Sequence, residues 1–105
     1  MSEQAAETPV LDLLAKMTAD SMDAADLDPA ALMLVRIAAL VAVDAPPASY
    51  LLNLGAAGEA GIESEQIQGV LAAVAPIVGT ARVTAAAGNI ARALGIALDL
   101  AEIED

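Results

Sequence analysis

Apolar residues recur along this chain at helical spacing, and no window alternates with the period of two that marks a strand. Thr8-Pro9 is a start signal: an N-capping hydroxyl is followed by proline at the first helical position, where its missing N–H costs nothing. A first helix is expected over 9–19, burying Val10, Leu13, Leu14 and Met17. Residues 20–28 carry four aspartates and read as a solvated connection. Asp28-Pro29 repeats the start signal with a carboxylate that also complements the helix dipole. The second helix is expected to reach residue 43. Its apolar residues Leu32, Met33, Leu34, Val35, Ile37, Leu40, Val41 and Val43 surround the axis instead of forming one stripe. Such a helix is buried on most sides, and a short chain can rarely enclose one unaided, so the pattern already points to association.

Residues 44–47 break the second helix, and a third is expected from residue 47 or 48 to residue 60. Gly61 then suits the left-handed position after a helix end. Glu63-Ser64-Glu65 opens a fourth helix with acidic groups in its first turn, carrying Ile67, Val70, Leu71 and Val74 as far as Pro76, which should kink or end it. Gly79-Thr80 forms a turn. Val83, Ala87, Ile90 and Leu94 then mark the buried face of a fifth helix, with Gly95 a candidate interruption before a last segment over 96–103. The expected fold is a single all-α domain over 1–105, a compact bundle of five to six helices, with flexible ends at 1–8 and 104–105.

Composition sharpens this picture mainly by exclusion. The 105 residues include 27 alanines and one aromatic, Tyr50, and neither Cys nor His. No disulfide, thiol nucleophile, thiolate–zinc site or imidazole base can exist here. The formal charge of −11 argues against nucleic acid, because only Lys16, Arg36, Arg82 and Arg92 could neutralise phosphates. Mean hydropathy is +0.66, yet the longest uncharged stretch, 66–81, has 16 residues and contains Pro76 and two glycines. A membrane span needs about 20 apolar residues, so none is expected. Residues 1–8 are polar and acidic without a signal core, which makes a cytoplasmic location the expectation.

Few residues suggest chemistry. Asp20-Ser21-Met22 is similar to the Asp-Ser-Leu site of phosphopantetheine carriers, but the serine there opens a long amphipathic helix, whereas three more aspartates follow here by residue 28. Ser21 reads better as a loop or cap residue. Most carboxylates lie at chain ends, in the 20–28 connection or in first helical turns, where solvation and the dipole explain them. Asp12, Asp44 and Glu59 are the exceptions. No calcium loop, phosphate loop, metal site or cofactor motif is present. Arg36 is the most informative charge, since it sits mid-helix between Val35 and Ile37. An arginine there needs a carboxylate partner or a polar cavity, and the two readings are a structural ion pair with an acidic residue of its own or a neighbouring subunit, or a clamp for a ligand carboxylate.

A longer pattern joins these pieces. Leu27-Asp28-Pro29, Arg36-Ile37-Ala38-Ala39-Leu40, Asn53-Leu54-Gly55-Ala56-Ala57, Gly61-Ile62, Glu65-Gln66-Ile67 and Ala75-Pro76-Ile77-Val78-Gly79-Thr80 follow one another in order. Over 27–94 the chain resembles the carboxymuconolactone decarboxylase family, which also contains the alkylhydroperoxidase D-type proteins. The resemblance implies an all-helical subunit, assembly into homotrimers or homohexamers, and a site near the subunit interfaces. It places a histidine of the decarboxylase branch at Asn53, eight residues before Gly61, and the paired cysteines of the peroxidase branch within 46–50. Asn cannot exchange protons near neutral pH as imidazole does, and 46–50 holds no Cys, so thiol-dependent peroxidase chemistry is excluded.

Two functions fit. One is a non-catalytic homo-oligomer of this family type with a structural or small-acid-binding role. The other is a cofactor-free decarboxylase or lactone-processing enzyme in which Arg36 clamps a carboxylate while Ser49, Tyr50 and Asn53 line the pocket, developing charge being stabilised electrostatically. Tyr50 on its own reads as a core or interface aromatic.

Overall fold

The computed structural model describes residues 8–104, with side chains described as far as residue 95. Five helices follow in order: α1 (Pro9–Ala25), α2 (Pro29–Ala42), α3 (Pro47–Glu59), α4 (Ser64–Val78) and α5 (Thr80–Glu104), with no strand among the described residues. Apart from Thr8 and Glu104, the chain ends expected to be flexible lie outside the described residues.

Local chemistry accounts for most boundaries. Proline stands in the first turn of α1, α2 and α3. The Asp28 carboxylate accepts from Ala31 N at 2.8 Å and caps α2. At the end of α3, Gly61 takes φ 87°, while Gly61 N donates to Gly58 O and Ile62 N to Ala57 O, both at 3.0 Å. This paired arrangement satisfies carbonyls that the helix end would otherwise orphan. At the start of α4, Glu63 N donates to Gln66 Oε1 at 2.8 Å.

Two boundaries differ from expectation, and at Pro76 the helix runs on instead of ending. α1 does not stop at residue 19 but crosses most of the acidic stretch, helped by a Lys16–Asp20 ion pair of 2.7 Å one turn apart. Asp26, with φ 53°, then ends it in the left-handed region. α4 continues past Pro76 to Val78, and Gly79 at φ 92° supplies the reversal. Gly95 does not interrupt α5, which is one helix of 25 residues.

α3 and α4 each pack on both α2 and α5. Two clusters make the core. Val41, Ala45, Tyr50, Ala86, Ile90 and Ala93 form one, while Met33, Ile37 and Ala57 form the other. From α5, the Arg82 guanidinium donates to Ala42 O, and Asn89 Nδ2 donates to Ala45 O at 3.2 Å, so that end of α2 is satisfied from outside.

The face of α5 that is buried is Ala86, Ile90 and Ala93, with Val83 half-buried and Ala87 and Leu94 exposed. Alanine at the contact lets helix backbones approach, and this turns the face away from the larger side chains. α1 departs furthest from its expected burial. It buries no residue, and Val10, Leu13, Leu14 and Met17 are 65%, 57%, 50% and 55% exposed. On α2 only Leu32, Met33, Ile37 and Val41 are buried, while Val35 and Val43 face out. A subunit with this few helices has none left to cover these faces. No helix among the described residues is long and apolar enough to cross a membrane.

Candidate functional site

α1, α2 and α3 together line an open groove of about 770 Å³. Leu11, Leu14 and Met17 of α1 form one wall, and Leu40 of α2 with Leu52 and Ala56 of α3 form the other. The polar lining is Thr18, Ser21, Arg36 and Asn53. Arg36 is partly buried, and its Nη2 donates to Thr18 O at 3.3 Å and to Ser21 Oγ at 3.1 Å. Arg36 makes no ion pair within the subunit among the described residues. Neutral acceptors of α1 take the place of a carboxylate, so the guanidinium keeps an uncompensated charge in a mostly apolar setting. Ser21 accordingly sits within α1 and not in a loop.

Among the four candidate pocket residues, the structure brings Arg36 and Asn53 together on this groove. Asn53 is partly buried, and its Nδ2 donates to Ser49 O at 2.9 Å, which fixes the amide against its own helix. Ser49 and Tyr50 are not among the groove's lining residues. Tyr50 is enclosed in the core with no exposed surface. Asp12 accepts from Thr8 Oγ1 at 3.3 Å. No cluster of three or more acidic side chains among the described residues is placed to hold a metal ion. Sequence reasoning missed Thr18 and Ser21 as partners of Arg36, because a contact between helices 15 and 18 residues apart leaves no local signal.

Tyr50 raises a separate question. Its hydroxyl is buried with no hydrogen-bond partner among the described residues. Burial pushes the phenol above its ordinary value of about 10, and the negative charge of Asp44 adds to the rise. The unfolded chain therefore ionises first, and the stability present below about pH 10 is lost as pH rises through the folded-state value. Tyr50→Phe removes an unsatisfied hydroxyl and is expected to raise stability by about 1 kcal/mol at neutral pH. It should also abolish the tyrosine-linked part of the alkaline loss. Urea unfolding of both proteins at about pH 8 and about pH 11 checks this, and a lower neutral-pH stability for Tyr50→Phe would contradict it. Since Tyr50 is the only tyrosine, phenolate absorbance follows its titration directly.

Set beside protein-family models, curated proteins and solved structures, the chain matches none of them.

Proposed function

We propose that this chain is a carboxymuconolactone decarboxylase-like, self-associating helical protein without peroxidase or His-dependent activity, whose Arg36 groove binds a small carboxylic acid. One observation carries the ligand class. A partly buried guanidinium lines an apolar groove and spends its hydrogen bonds on neutral acceptors. An unpaired charge in such a setting is costly, and a carboxylate matches the guanidinium fork. Lys16 is paired with Asp20, while Arg82 and Arg92 are hydrogen-bonded elsewhere. Arg36 is thus the cation this groove offers.

Association is supported by α1. A helix of 17 residues that buries nothing is marginal in water, and its exposed apolar residues need a cover. The family resemblance supplies trimers or hexamers as the expected particle and accounts for Asn53 where imidazole would stand. An enzyme reading calls for Tyr50 beside Arg36 and Asn53. With Tyr50 enclosed in the core, binding is proposed here, and turnover is not.

Calorimetric titration with benzoate, and with neutral benzamide as its near-isostere, tests the ligand. Benzoate should bind and benzamide should not, and Arg36→Ala should weaken benzoate by about tenfold or more, the size of a charge-assisted hydrogen bond. Equal binding of the two compounds, or an unchanged affinity in Arg36→Ala, would overturn the reading. Native mass spectrometry gives the particle, and a stable monomer would count against self-association.

A further inference from the structure

We propose a second ligand site, in the cleft between α3 and α4, for an apolar molecule carrying a cationic head: an alkyl- or arylammonium. It shares no lining residue with the Arg36 groove. The cleft exists because α3 and α4 diverge from the Gly61 turn, each packing on α2 and α5. Small side chains at the facing positions, Ala57 and Gly58 on α3 with Ala87 and Ala91 on α5, leave about 430 Å³ open. That volume falls within the range of small-molecule pockets. Ile67 and Leu71 of α4 make the opposite wall.

The polar groups gather at one end. Glu63, Ser64 and Gln68 line the mouth, and Glu63 is the only charged residue among the lining residues. Its carboxylate makes no ion pair among the described residues, and in the capping box of α4 it accepts from the Gln66 backbone N–H. An ammonium has three donors and no acceptor, which fits a carboxylate, a hydroxyl and an amide oxygen. An anionic head at the same place would face the like charge of Glu63. The two sites therefore have opposite charge preferences: the Arg36 groove takes a carboxylate and this cleft an ammonium.

Amide chemical shifts of the isotope-labelled full chain, titrated with n-hexylammonium chloride, test the site. Saturable shifts are expected at Ala57, Gly58, Ile67 and Ala91. Hexanoate, with the same tail and the opposite head, should bind this cleft more weakly. Ala91→Leu places a good helix former on the cleft floor and should abolish the saturable shifts, with its thermal melt reporting an intact fold. Glu63→Gln keeps the shape and should reduce affinity by about fivefold, the size of an exposed charge pair. Arg36→Ala should leave these shifts unchanged, so failure here and failure of the carboxylate site are told apart. Equal binding of hexanoate, undiminished binding in a folded Ala91→Leu protein, or the same shifts appearing on raising protein concentration alone would each overturn the proposal. The last of these would assign the cleft to contact between copies.

Discussion

Ile37→Ala is expected to destabilise the subunit by about 3 kcal/mol, a large share of the 5–15 kcal/mol available to a small domain. Ile37 has no exposed surface and stands between Met33 and Ala57, with Leu54, Ile67 and Val70 packed around them. Among the described residues alanine already occupies four of the ten buried hydrophobic positions, so few large side chains remain to close the space the substitution would leave. The cost therefore includes a cavity as well as lost transfer free energy. Ile77→Ala is the control. Ile77 is 86% exposed, and its replacement should change stability by less than about 0.5 kcal/mol. Urea unfolding followed by circular dichroism separates the two. Equal midpoints would mean that the second cluster does not carry the fold.

The other large effect concerns association. Val10→Asp combined with Leu13→Asp should leave α2 to α5 folded, because neither side chain is buried within the subunit. The same change should dissolve the assembly, since each subunit would then place two carboxylates into an apolar contact at a cost of several kcal/mol per buried charge. Neither residue lines the Arg36 groove, so carboxylate binding by the separated subunits remains measurable. Sedimentation velocity of the double variant should give the subunit mass. Retention of the native particle mass would show that α1 is not the contact.

These outcomes depend on features of unequal legibility. The starts at Pro9, Pro29 and Pro47 and the stop at Gly61 could be read in the sequence because caps are local, each settled within a few residues. The extent of α1 could not, because aspartates interleaved with Ala and Met look like a solvated link until Lys16 reaches Asp20 across one turn. The buried face of α5 was hidden for another reason. Where alanine recurs on every side of a helix, periodicity is nearly flat, and Ala86 and Ala93 carry no more signal than Ala87. Tyr50 in the core follows from its size and apolar ring, whereas the meeting of Arg36 and Asn53 depends on how α1, α2 and α3 cross. The cleft beside Glu63 left no trace in the pattern, since it is made by residues that are missing bulk.

Gly79 has a last consequence. One residue separates α4 from α5, and the two helices pack against each other. Its backbone lies at φ 92° and ψ 161°, a conformation open essentially to glycine, while a Cβ built there would meet no atom within 4 Å. What resists a side chain at this point is torsion and not crowding. With an ordinary residue the cheapest relief is to continue the helix, fusing 64–104 into a rod of roughly 60 Å. Its two halves could then find their packing partners only in different molecules, the open geometry of domain exchange. The choice between a closed bundle and an interlaced pair rests on a junction one residue wide.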